Sequence, residues 1–262
     1  SLHDALPIYT GEYEGIFLDK EFNNKKLSLE EKRVRKNDRV FDPEVAKLIV
    51  SSTIDSDGSI TEVVKPRKEY SEALFDLTSL QREANSRFGF TARTTLQITQ
   101  NLYQPRSGEG YVTYPRTDSR RLPNDYPDLV LETIKNFKST KYERYSEFIV
   151  ENNMVNSDDK KVFDSSKVSD HFAIIPTNII PSFTKLSDQE AKIYDLIVKR
   201  FLAIFYPPVI TKETVRDTIV NGNTYRTKGK ILIDKGWKEV LDSTTSETIL
   251  NAIDPNEKAD RK

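Results

Sequence analysis

Ser187-Asp-Gln-Glu-Ala-Lys-Ile-Tyr-Asp-Leu-Ile-Val-Lys-Arg-Phe-Leu-Ala-Ile-Phe-Tyr-Pro-Pro208 is the stretch whose reading decides the fold. Ser187 followed three residues later by Glu190 is a capping box, in which each side chain satisfies an otherwise unpaired backbone N–H of the other. Ile193, Ile197, Val198, Phe201 and Leu202 recur at helical spacing, and Pro207-Pro208 closes the run. Beyond it the period changes to that of strands: Asn221-Gly222 signals a type I′ hairpin, followed by a run from Gly229 to Asp234 and by Gly236-Trp237. Upstream lie two shorter helices with a tight corner. The first is capped by Asp76 or Thr78, carries Leu80, Ala84 and Phe88, and ends at Gly89. The second is capped by Thr91 and runs through Leu96 and Ile98 to Tyr103. Asp125 to Asn152 is helical in propensity, with Leu129, Leu131, Ile134 and Phe137 apolar, and Asn156 to Ser166 is a polar connection.

Before Lys68 the pattern is again sheet-like. Ile16, Leu18 and Phe22 are spaced as in half-buried strands, and Asp57-Gly58 reads as a hairpin ahead of Ile60, Val63 and Val64. Asp42-Pro43 opens a helix with Val45, Leu48 and Ile49 on one face, and Lys25 to Arg39 reads as a solvated charged segment. The order sheet, helices, sheet predicts an α+β fold: a helical domain, 75–206, inserted into a β-rich one made of 9–74 and 207–240. Residues 241–262 are polar and read as a linker or the start of a further domain. Ser1 to Ile8, SLHDALPI, resembles the conceptual translation of a sequencing adapter and is expected to be an adapter-derived artefact, leaving His171 as the native histidine.

With 262 residues, 36% hydrophobic and 31% charged, the chain has the composition of a folded protein rather than a disordered one. No run approaches the roughly 18 apolar residues of a membrane helix. The lack of cysteine removes disulfides, thiolate metal sites and a thiol nucleophile, and fits a cytoplasmic location. The net charge of −1 says nothing of partners, but its distribution does. Between Lys65 and Arg121 ten basic residues (Arg82 and Arg120 among them) face six acidic ones, with Tyr103, Tyr111 and Tyr114 interleaved. That is the composition of a groove that tracks a single strand of nucleic acid by phosphate contact and base stacking, and solvated helix faces give a similar count.

Tyr111-Val-Thr-Tyr-Pro-Arg-Thr-Asp-Ser119 carries the most chemistry. The proline makes Tyr114 extended, and in extended chain residues two apart point the same way, so Tyr114 and Arg116 share a face. A phenol oxygen beside a guanidinium suits attack on a phosphodiester: the first is the nucleophile, and the second holds phosphate oxygens and offsets developing charge. Asp118, two further on, can orient the arginine or an imidazole. The second candidate is Asp170-His-Phe-Ala-Ile-Ile-Pro-Thr177. Its His171 either contacts the scissile phosphate or pairs with Asp118 in proton transfer.

Leu77-Thr-Ser-Leu-Gln-Arg-Glu-Ala-Asn-Ser-Arg-Phe-Gly-Phe90, Leu102-Tyr103, Tyr111 to Ser119 and Asp170 to Thr177, taken in that order, resemble the type IA DNA topoisomerases, in their bacterial topoisomerase III form. The resemblance covers about 9–240. It implies a toroidal enzyme that cleaves one DNA strand, keeps the 5′ phosphate on a tyrosine, passes another strand through the gap and reseals it. Tyr114 would be the nucleophile, Arg116 would position the scissile phosphate, and Asp118 and His171 would be their partners. Ser79, Gln81 and Arg82 on the helix, with Thr117, Ser119 and Arg120 beside the nucleophile, would contact single-stranded DNA. The helical insertion would be the domain carrying the tyrosine, and the flanking sheet segments the arch on which it hinges. No small-molecule cofactor or membrane is implied.

The family's metal-binding domain, with its Mg2+ site, is expected to precede this segment, so no metal ligand is assigned here and the chain alone is expected to be inactive. Phe172 stands where many relatives have a second histidine. The alternative reading is a module that grips single-stranded DNA without cleaving it. A tyrosine recombinase is disfavoured because Tyr114 precedes His171.

Overall fold

The computed structural model describes residues 13–20, 22, 28, 37–105, 108 and 110–241. The adapter-like octapeptide, most of the charged segment 25–39, and 242–262 lie outside them. The described chain falls into two compact units, one of 13–67 with 210–233 and one of 68–209 with 234–241.

The first unit is a four-stranded sheet of β1 (Ile16–Leu18), β2 (Ser59–Glu69), β3 (Val209–Val220) and β4 (Asn223–Asp234) in the order β1-β4-β3-β2. β1 pairs antiparallel with β4, Ile16 opposite Arg226. Asn221 and Gly222 both have positive φ, 47° and 84°, as a type I′ turn between β3 and β4 requires. Arg216 is buried on one sheet face, where Glu62 holds it at 3.0 Å and the Tyr13 ring covers its guanidinium.

Helix α1 (Pro43–Thr53) starts as the sequence predicts, with the Asp42 carboxylate accepting from the Glu44 amide and Pro43 in the first turn. Its apolar residues are not a core stripe: Val45 and Leu48 remain exposed, and the helix is held through polar groups such as Thr53 on the Tyr225 hydroxyl at 2.6 Å. Asp57-Gly58 is not a hairpin but the connection from α1 to β2. Gly58 is needed there for proximity, since a Cβ would stand 2.8 Å from Val220 and 3.1 Å from the Ile219 carbonyl.

The second unit is built around α6 (Asp188–Ala203), which is buried on nearly every side through Ile193, Tyr194, Ile197, Val198, Phe201 and Leu202. Its Ser187–Glu190 capping box forms as read. Against it pack α2 (Leu77–Phe88), α3 (Ala92–Tyr103) and α5 (Glu143–Glu151). Asp76 caps α2, Gly89 ends it at φ 70°, and Thr91 caps α3. The helical stretch 125–152 divides into α4 (Pro127–Lys135) and α5, with Ser139 at φ 63° in the break. The buried face of α4 is Val130, Thr133 and Ile134, while Leu129 is exposed.

Candidate active site

Two extended segments meet antiparallel beside α2 and α3. Thr113 donates its amide to the Ile175 carbonyl at 3.0 Å, Val112 bridges Pro176, and Thr177 donates its amide to the Tyr111 carbonyl at 3.0 Å. The backbone pairing covers Tyr111 to Thr113 against Ile175 to Thr177; beyond it Ile174 pairs with Phe75, Ala173 donates its amide to the Arg121 carbonyl, and the Thr117 hydroxyl donates to the His171 carbonyl at 3.0 Å.

The backbone of the first segment alternates as an extended chain should. Pro115, Thr117 and Ser119 are buried, whereas Arg116 and Asp118 are exposed and Tyr114 is half-buried, with the chain bending at Pro115 between Tyr114 and Arg116. The phenol of Tyr114 lies between two rings: His171 at 4.2 Å, tilted by 40°, and Tyr103 edge-on at 5.4 Å. The Asp118 carboxylate accepts from the Ser169 hydroxyl at 3.3 Å. Among the described residues no hydrogen bond or ion pair joins Asp118 to His171, so the imidazole keeps company with the nucleophile candidate rather than with the carboxylate. Phe172 turns away to pack on Tyr126, ring centroids 4.7 Å apart.

Most of the residues expected to contact DNA also carry hydrogen bonds within the chain. Thr117 ties to His171 and accepts from the Ser119 amide at 3.1 Å, and Ser119 donates its hydroxyl to the Lys167 carbonyl at 2.8 Å. Arg120 donates to the Leu74 and Ala73 carbonyls at 2.9 and 3.1 Å. Ser79 shares the α2 cap with Asp76, and Gln81 donates to the Ala92 carbonyl at 3.1 Å. Of that group Arg82 stands exposed on α2, and Arg116, two residues beyond Tyr114, is exposed as well.

Gly110, in a stretch that the sequence marks only as a loop, and Arg200, which the sequence does not single out, are each fixed by close contacts. Gly110 lies so close to α3 that a Cβ would come within 2.2 Å of the Tyr103 carbonyl, and Tyr111 donates its amide to the Leu102 carbonyl at 2.8 Å. The glycine therefore lets the segment start against the end of α3, which brings Tyr103 to the edge of Tyr114. Arg200, buried on α6, donates to Glu72 at 2.6 Å and Glu83 at 3.4 Å and lies over the Phe75 ring at 4.3 Å. That guanidinium holds the Glu72 carboxyl below the usual carboxylate range, through its hydrogen bond first and its charge second. Phase of the helix was legible for α6, but a charged residue on its buried side gave no signal of its partners.

The family model for DNA topoisomerase matches residues 12–262. The chain belongs to the type IA DNA topoisomerase family. Among curated topoisomerases, DNA topoisomerase 3 of Bacillus cereus is 37% identical over 219 residues, which are 83% of this chain and 29% of the relative. DNA topoisomerase 3 of Bacillus subtilis is 38% identical over 208 residues, 79% of this chain and 28% of that one. The chain thus spans under a third of the length of these relatives. A solved structure of full-length topoisomerase I from Thermotoga maritima superposes with a TM-score of 0.60 at 26% identity, covering 86% of this chain and 36% of that one. Magnesium is what the topoisomerase resemblance implies for the parent, and the described residues do not fit it: no group of three or more His, Asp or Glu side chains among them is placed to hold a metal ion. No helix among the described residues is long and apolar enough to cross a membrane.

Proposed function

We propose that this topoisomerase segment carries the strand-breaking side chains of its parent enzyme, with Tyr114 as nucleophile toward a single DNA strand. The phenol oxygen attacks the phosphorus and forms a tyrosyl 5′-phosphodiester. The bond from phosphorus to the 3′ oxygen breaks, and the 3′ hydroxyl leaves with a proton. The phenolic proton passes to His171 or to water. Arg116 steadies the phosphate anion as charge builds on its oxygens, and Asp118 biases the polar side chains around it. Because the new diester conserves the energy of the old, the reverse attack by the 3′ hydroxyl reseals the strand without nucleotide hydrolysis, after another strand has passed.

The observation that carries this reading is the His171 ring lying against Tyr114, two residues before the exposed Arg116, in a segment whose other face is locked by hydrogen bonds. A packing tyrosine has no need of an imidazole against its ring and an exposed guanidinium two residues on. Arg82, exposed on α2, is a contact for the strand's phosphates. The helical unit serves as the tyrosine-bearing domain of a toroid and the sheet unit as part of its arch, and the parent's need for Mg2+ is met outside these residues. Such an enzyme works where the chromosome is, in the cytoplasm.

The second reading, a module that binds single-stranded DNA without cleaving it, is separated by one experiment. The complete parent enzyme, given single-stranded DNA and Mg2+ and quenched in denaturant, yields a covalent adduct; Tyr114→Phe abolishes it while binding persists. An undiminished adduct in that variant would refute the assignment.

A further inference from the structure

Leu102-Tyr103 is part of the family pattern, yet neither residue offers a group that the strand-breaking chemistry uses. Both sit at the end of α3. Leu102 is buried with Thr95, Ile98 and Thr99 of the same helix, so this end of α3 is fixed in the core of its unit. The Leu102 carbonyl accepts from the Tyr111 amide at 2.8 Å, and the Gln104 amide closes the helix on the Gln100 carbonyl at 2.9 Å. Tyr103 next to it is half-buried and meets Tyr114, with ring centroids 5.4 Å apart and planes at 78°. That is the edge-to-face arrangement which aromatic pairs prefer.

A tyrosine side chain turns about two torsions, and at a half-buried position several staggered orientations are open unless neighbours fill the alternatives. The hydrogen bonds along the Tyr114 segment run through Tyr111, Thr113 and Thr117, and among the described residues none of them reaches the Tyr114 side chain. What that side chain meets is two rings, His171 and Tyr103. His171 is the group that takes the phenolic proton in the proposed reaction, and it comes from an extended segment. Tyr103 comes from a helix, a more precise mounting than a loop. Among the described residues no hydrogen bond engages the Tyr103 hydroxyl, so what Tyr103 offers its neighbour is the shape and edge of a ring.

We infer that Tyr103 is a positioning residue, whose ring holds the Tyr114 phenol in the orientation from which its oxygen attacks phosphorus. The inference rests on Tyr114 being the nucleophile. Displacement at phosphorus needs the attacking oxygen placed opposite the departing 3′ oxygen, and a misplacement of about 1 Å costs on the order of a hundredfold in rate. A ring that excludes the neighbouring orientations of the phenol guards against that loss without touching DNA. Tyr103 therefore acts on the covalent step and not on the grip on the strand.

The test uses the complete parent enzyme with Mg2+ and a single-stranded oligonucleotide, with the rate of adduct formation taken at saturating DNA and per folded molecule. Tyr103→Leu keeps bulk but loses the aromatic edge, and it slows the adduct by about tenfold. Tyr103→Phe keeps the edge and restores the rate to within about twofold of wild type. Single-strand affinity is read by fluorescence anisotropy in the Tyr114→Phe background, which does not cut. There both variants stay within about twofold, whereas loss of a base-stacking ring costs about fivefold or more. The inference is overturned if Tyr103→Leu forms the adduct at the wild-type rate while the adduct still depends on Tyr114, an outcome that leaves the cleavage reading standing. It is equally overturned if Tyr103→Phe is as slow as Tyr103→Leu, or if affinity falls in step with rate, which would make Tyr103 a contact for bases. An adduct undiminished by Tyr114→Phe would overturn the cleavage reading and this inference with it.

Discussion

The imidazole of His171 lies against the phenol of Tyr114 with ring centroids 4.2 Å apart and planes tilted by 40°. Thr117 supplies the nearest tie, its hydroxyl donating to the His171 carbonyl and accepting from the Ser119 amide.

Thr117→Val removes that buried hydroxyl and leaves a carbonyl and an amide unpaired. Stability falls by about 1 to 2 kcal/mol, as urea unfolding would register. Strand cleavage by the parent falls further than the stability loss accounts for, because the imidazole is no longer held over the phenol. Equal cleavage per folded molecule would show that the tie does not position the site.

Gly110→Ala forces a methyl group toward the Tyr103 carbonyl, which its Cβ would approach to 2.2 Å. Since the obstacle is backbone, the segment must shift, and the cost is about 1 to 3 kcal/mol. Thermal unfolding measures it, and the near-ultraviolet circular dichroism of the tyrosine cluster changes with it. A variant with unaltered melting would mean that the close approach is dispensable.

Arg200→Ala strips the buried link between Glu72, Glu83 and the Phe75 ring. Glu72 is exposed, so water recovers part of the loss, and the expected cost is about 2 kcal/mol in urea unfolding. Arg200→Lys restores less than half of it, because a point charge cannot serve two carboxylates and a ring at once.

Asp195 gives the acid limb of stability. Burial raises its pKa, but hydrogen bonds from Lys141 and Tyr142 and the charges of Lys141 and Lys199 outweigh that, so the folded value lies below the ordinary one. A depressed folded value contributes stability above the unfolded carboxylate pKa of about 3.9 and loses it as pH falls through the folded value. Asp195→Asn therefore costs about 1 to 3 kcal/mol at neutral pH, and the gap to wild type narrows in acid. A gap independent of pH would contradict the network.

Most of the helix ends were legible because caps are local. Asp76, Thr91, Ser187 and Gly89 act on backbone within a few residues, so spacing alone reveals them. What the sequence hid is long-range. Gly58 looked like a turn but serves a close approach to β3, and Val45 and Leu48 looked like core but stay exposed. The hydrogen bonds of Thr117, Ser119 and Arg120 likewise run to residues that only folding brings near.

Mapping the protein residue that carries DNA tests the central claim most directly. The parent enzyme, incubated with single-stranded DNA and Mg2+, trapped in denaturant, digested with nuclease and protease and weighed by mass spectrometry, should yield a nucleotide joined through phosphate to the peptide containing Tyr114 and to no other tyrosine. A nucleotide on a different residue, or a fully active enzyme that never yields the Tyr114 conjugate, would contradict the account.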